Sequence, residues 1–127
     1  MTPGVEKAIE QLRQTFPQSE VSAEPDSNGG AYVFVSPIDI GAKFAPRQTW
    51  MGAHLPPQLP YADVYPLFIG GDVLRTDGRS FVAPISPTSF QGRGALQISR
   101  RSNRHDPQRQ SAATKFLKVL HWLETEA

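Results

Sequence analysis

Residues 20–35 read Glu-Val-Ser-Ala-Glu-Pro-Asp-Ser-Asn-Gly-Gly-Ala-Tyr-Val-Phe-Val. Glu20–Glu24 is short and alternating, and Ala31–Val35 is apolar on both faces. Between them Asp26-Ser27-Asn28-Gly29-Gly30 supplies residues that tolerate positive φ, which is the chemistry of a tight turn. The reading is two paired antiparallel strands, the second central in its sheet.

On the N-terminal side, Thr2 can cap a helix and Pro3 can take its first position. Val5, Ile9, Leu12 and Phe16 recur at steps of four, three and four, one face of an amphipathic helix that Pro17 ends. On the C-terminal side, Gln48–Leu55 reads as a third strand and Leu67–Ile69 as a short extended piece. Ala95–Ser99 alternates, with Leu96 and Ile98 facing one way and Gln97 and Ser99 the other. A last helix follows Asp106-Pro107, a cap-then-proline signal. Ala112, Phe116, Val119, Leu120 and Leu123 line its apolar face, widened by Ala113, Leu117 and Trp122. Phe116 and Leu120 are expected in the core, and His121 as a partly buried structural histidine.

Proline explains this layout. Ten of the 12 prolines lie between Pro17 and Pro87, so the middle of the chain cannot be helical for long. Outside the strands, residues 56–94 are rich in Pro, Gly and Ser, long for an irregular segment, which points to function or to further strands. The expectation is an α+β fold over one domain, residues 1–127: N-terminal helix, antiparallel β-meander, long irregular Pro-rich segment, C-terminal helix.

Composition narrows the chemistry. With 127 residues and no cysteine, the chain has no disulfide, thiolate metal site or cysteine nucleophile. No run approaches the ~18 apolar residues of a membrane span. Glu6 and Glu10 interrupt the N-terminus where a signal sequence needs an apolar core, so a cytoplasmic protein is expected. Net charge is +1, but residues 1–30 carry −3 and residues 93–118 carry +6, from Arg93, Arg100, Arg101, Arg104, Arg109, Lys115 and Lys118 against Asp106. Such a basic stretch suits an acidic partner or nucleic acid.

Recognisable catalytic patterns are lacking. His54, His105 and His121 are far apart and form no metal-binding pair, and neither a nucleophile elbow nor a phosphate loop occurs. No metal or cofactor is expected. Gly92-Arg93-Gly94 is a weak anion-binding signal that a tight turn before a strand explains better, and Asp77-Gly78 reads as a turn dipeptide.

Leu55-Pro56-Pro57-Gln58-Leu59-Pro60-Tyr61-Ala62-Asp63-Val64-Tyr65-Pro66 follows the strand that carries Trp50. It resembles the proline-rich turn after the third strand of ubiquitin-conjugating (E2) folds, where a Tyr-Pro pair leads into the fourth strand. Ser36-Pro37-Ile38-Asp39, and the late run from Gln97 to Asp106-Pro107 before a helix, resemble the layout of divergent bacterial E2-like families. The resemblance spans roughly residues 5–123. It implies a component of a ubiquitin-like protein conjugation system, with an E1-like activating enzyme and a ubiquitin-like modifier as partners.

The departure from the family is chemical. Neither the thioester-forming cysteine nor the His-Pro-Asn element is present. Asp77-Gly78-Arg79-Ser80-Phe81 falls about where the active loop belongs, and serine there is a poor substitute for a thiolate. Two explanations stay open: a cysteine-less binding partner, or a chain in which the family's cysteine is replaced, at Ser80, Ala83, Ser86 or Ser89. Whether the chain is an enzyme is left open with them. By the resemblance, Glu6, Lys7, Glu10 and Arg13 of the first helix face the activating enzyme. Arg100, Arg101 and Arg104 are expected beside the active loop, holding the modifier tail or an acidic partner surface. The competing reading is a small basic nucleic-acid-binding or structural adaptor domain. The scarcity of aromatics near the arginines argues against nucleic acid: Phe90 is the only one between Val82 and Lys115.

Overall fold

The computed structural model describes residues 1–101, 105–108 and 110–127. In chain order the elements are α1 (Pro3–Thr15), β1 (Glu20–Pro25), β2 (Ala31–Asp39), β3 (Phe44–Ala45), β4 (Gln48–Leu55), β5 (Leu67–Gly70), β6 (Leu74–Arg75), β7 (Ile85–Phe90), β8 (Arg93–Ile98) and α2 (Ala112–Thr125). Six strands form one antiparallel sheet in the order β1-β2-β4-β5-β8-β7, while β3 and β6 pair separately. The architecture is α+β, with helices at the two ends of the described chain and an antiparallel sheet between them.

α1 begins as expected. Thr2 Oγ1 accepts the N–H of Val5 at 3.3 Å, and Pro3 opens the helix where its missing N–H costs nothing. Its buried stripe is Val5, Ala8, Ile9 and Leu12. The β1–β2 turn closes on Asp26, whose Oδ1 accepts the N–H groups of Asn28 at 2.7 Å and Gly30 at 2.9 Å. β2 is central, between β1 and β4.

α1 packs on α2 and on the sheet, and Phe16 meets the ring of Phe116 at 6.3 Å. The strands present aliphatic side chains to the helices: Val33 and Val35 from β2, Met51 and Ala53 from β4, Leu67 and Ile69 from β5, and Leu96 and Ile98 from β8. All eight are buried with Phe116, Val119 and Leu123 of α2.

Several expectations are corrected. α2 starts at Ala112, five residues beyond Pro107, because Ser111 and Thr114 form a reciprocal capping box there. Asp106 instead closes a turn, its carboxylate accepting from Gln108 N–H at 3.0 Å and its carbonyl from Gln110 N–H at 2.8 Å. Leu120 is only half-buried, Leu117 is 47% exposed and His121 is exposed, so the apolar face of α2 is narrower than its composition suggests. β2 runs on past Ser36-Pro37 to Asp39, across a register shift between Val35 and Ile38. The long segment also holds β6 and β7. β7 is an edge strand, the place in a sheet where Pro87 is tolerated. It joins β8 by Gln91-Gly92, both at positive φ, a two-residue hairpin turn. Among the described residues no helix is long and apolar enough to cross a membrane.

Candidate functional site

Both helices cover one face of the sheet. Its other face carries the largest concentration of aromatic side chains. Strand register assembles it: Phe34 of β2 lies opposite Gly52 of β4, which lies opposite Phe68 of β5. A Cβ on Gly52 would sit 3.1 Å from Phe90 and 3.2 Å from Trp50, so the absent side chain makes room for the two rings. Phe90 reaches in from β7 and stacks on Phe68 at 4.1 Å between centroids. Tyr32, Phe34 and Trp50 surround it at 6.1, 5.4 and 6.4 Å. Phe68 and Phe90 are buried; Tyr32, Phe34 and Trp50 stay half-buried. The Arg93 guanidinium lies 3.9 Å above the Phe34 ring and 5.4 Å from Trp50, within range of a cation–π contact.

Beside Trp50 runs an open groove of about 820 Å3, its lining including Gln48, Thr49, Asp72 and Thr88. At another edge of the patch His54 packs on Tyr32 at 5.0 Å and its Nε2 meets Asp26 Oδ2 at 2.6 Å. The His54 contact, then the backbone N–H groups, hold the Asp26 carboxyl below its usual range. These bonds lock the β1–β2 turn to β4.

The residues singled out by sequence fall in three other places. Glu6, Lys7, Glu10 and Arg13 are all exposed on α1, with Arg13 3.7 Å from Glu10. In the loop after β6, Asp77 accepts from Arg75 at 2.8 Å and from the Arg79 N–H at 2.9 Å. Arg75 first, and then that N–H, bring its pKa down to about 2. Ser80 and Ala83 are exposed in this loop, while Ser86 and Ser89 are exposed on β7. Among the described residues no side-chain hydrogen bond joins these serines to a histidine or carboxylate, so none is set up as an activated nucleophile. Phe81 anchors the loop by stacking on Phe44 at 6.2 Å.

The third place is the connection from β8 to α2. Arg100 lies over Trp122 at 4.8 Å and Arg101 over Tyr65 at 4.8 Å. Lys115 is 7% exposed, reaching Asp63 at 3.2 Å and donating to the Arg100 carbonyl at 2.7 Å. Burial lowers its pKa, and Asp63 opposes that shift. Arg104 and Arg109 lie outside the described residues. The +6 stretch is therefore not one patch. Arg93 sits on the uncovered face of the sheet, Arg100 against α2, and Lys115 inside.

Sequence reasoning missed the aromatic patch, because four strands each contribute only one or two rings. The available signal was the Tyr32–Phe34 alternation around Val33 and Val35, and the Trp50-x-Gly52-x-His54 row. Among the described residues no group of three or more His, Asp or Glu side chains is placed to hold a metal ion. No family model, curated protein or solved structure matches the chain.

Proposed function

We propose that the chain is an E2-like component of a ubiquitin-like protein conjugation system that binds its partners and does not itself carry the modifier as a thioester. The observation that carries this reading is the place of Tyr65-Pro66. The pair stands immediately before β5, the fourth strand of the meander β1-β2-β4-β5, between an N-terminal and a C-terminal helix. That is the element order of the E2 resemblance. Binding is favoured over transfer because, among the described residues, the exposed Ser80 hydroxyl is hydrogen-bonded to no base, and the nearby Asp77 carboxylate is taken up by Arg75 and the Arg79 N–H. The exposed charges of α1 are the surface for an E1-like enzyme, and Arg100 and Arg101 contribute to holding the modifier tail or an acidic partner surface. The arginines sit 4.8 Å from aromatic rings, and a guanidinium fork suits a carboxylate or carbonyl.

The nucleic-acid alternative needs a continuous basic track along a phosphate backbone. The described basic residues of the 93–118 stretch are divided between opposite sides of the sheet, with Lys115 buried. The test is to mix the purified chain with an E1-like enzyme and a ubiquitin-like protein from the same genome. A complex on gel filtration, with no adduct sensitive to thiol or hydroxylamine, is the expected result. Failure to bind either protein at high micromolar concentration would refute the reading.

A further inference from the structure

Arg93 has a setting that the conjugation reading does not use. It is exposed, its guanidinium lies 3.9 Å from the centre of the Phe34 ring, and it has no carboxylate partner among the described residues. A guanidinium held against a ring by cation–π attraction keeps its N–H groups for other partners, and its fork can bind a carboxylate through two parallel hydrogen bonds. Half-buried Tyr32, Phe34 and Trp50 around it are of the residue types that anchor apolar side chains of a partner. The rim has the opposite charge. Glu20 and Glu24, on β1, sit opposite Ser36 and Tyr32 on this same face, and Asp72 lines the groove beside Trp50.

We propose that the uncovered sheet face docks an extended segment of a partner protein that presents one carboxylate to Arg93, between apolar side chains that rest on the aromatic patch. The acidic rim selects for one central carboxylate and against a chain of phosphates, which would face Glu20, Glu24 and Asp72 at once. The segment lies across the face and does not add a strand at the edge. β7 carries Pro87 and β1 ends in Pro25, and a proline offers no N–H to pair with. This inference is independent of the conjugation reading, since it uses neither α1 nor the Arg100–Arg101 connection.

The probe is a random twelve-residue peptide display library, panned on the full chain, with Arg93→Gln as the counter-target. The recovered peptides should carry Asp or Glu flanked by apolar residues. A synthesised consensus peptide should bind Arg93→Gln at least about tenfold more weakly than the parent, as expected for loss of a charged hydrogen-bonded pair. Replacing the peptide's own acid by its amide should cause a similar loss. Binding should be unaffected by Glu6→Lys with Glu10→Lys, which separates this surface from the proposed E1-like interface. Arg93→Gln should keep the parent's thermal midpoint, so that lost binding is not lost folding.

Any of five results would overturn the proposal. Panning recovers no peptide, or the peptides lack an acid. Their affinity is the same for Arg93→Gln. The chain forms a concentration-dependent dimer in sedimentation that Arg93→Gln dissolves, which makes the face an interface between copies. A fifteen-nucleotide oligo-dT binds with strong salt dependence and is lost with Arg93, which makes it a nucleic-acid surface.

Discussion

The two faces of the sheet are built from the same strands and solve opposite problems. Toward the helices, Val33, Val35, Met51, Ala53, Leu67, Ile69, Leu96 and Ile98 are aliphatic and closed off by α1 and α2. On the other side, Tyr32, Phe34, Trp50, Phe68 and Phe90 are aromatic and packed ring against ring, and among the described residues the Arg93 side chain lies over them. Aliphatic side chains interdigitate to the density of a core. Rings left at a surface protect one another by stacking and keep area available for a partner. The first face holds the fold together, and the second has the composition of a recognition surface.

The contrast can be tested by truncation. Phe116→Ala, at the fully buried centre of the helix-covered face, should cost about 3–5 kcal/mol. Urea denaturation measures it, and a cost near 1 kcal/mol would mean that the helices do not provide the main core. Phe90→Ala removes the buried ring at the centre of the open face, whose neighbours Tyr32, Phe34 and Trp50 are only half-buried. It should cost less, at the lower end of that range, about 3 kcal/mol, and Trp50 fluorescence should change with it. Equal costs at the two positions would erase the distinction between the faces.

Leu120→Ala sharpens the boundary of the first face. The side chain is half-buried, so the loss should be about 1 kcal/mol, below the range for a core leucine. The smallest effect concerns pH and lies off both faces. The Asp77 carboxyl is depressed in the folded state to about 2. A depressed carboxyl stabilises the fold above its ordinary unfolded value, about 3.9, and that contribution disappears as pH falls through the folded value. Parent and Asp77→Asn should therefore differ slightly in urea midpoint at pH 7 and converge as the pH approaches about 2. A gap that stays constant from pH 7 downward would show that the Arg75 pair is not its source.

What the sequence made legible follows the range of the interactions. α1 was readable because cap, first-turn proline and apolar stripe are local, and its bounds, Pro3–Thr15, follow from them. The β1–β2 hairpin and β4 were readable for the same reason. β7 was hidden because Ile85-Ser86-Pro87-Thr88-Ser89-Phe90 has the composition of a loop and becomes a strand only through β8. α2 was placed too early because Asp106-Pro107 has the chemistry of a cap but closes one turn, while Ser111 and Thr114 start the helix. The aromatic face was illegible because it depends on register: Phe34, Gly52 and Phe68 are neighbours across three strands and strangers in sequence. The arginine stretch failed the other way, since proximity in sequence suggested one patch and β8 carries Arg93 away from Arg100.

The proposed role is to bind the partners of a conjugation system through exposed charge, without covalent chemistry. The most direct measurement is a backbone amide chemical-shift map of the 15N-labelled chain, titrated first with a ubiquitin-like protein and then with an E1-like enzyme from the same genome. Arg100 and Arg101 should shift with the former and Glu6, Lys7, Glu10 and Arg13 with the latter, and the mass should be unchanged afterwards. An unperturbed spectrum with both proteins, or a mass increase equal to the modifier attached at Ser80, would contradict it.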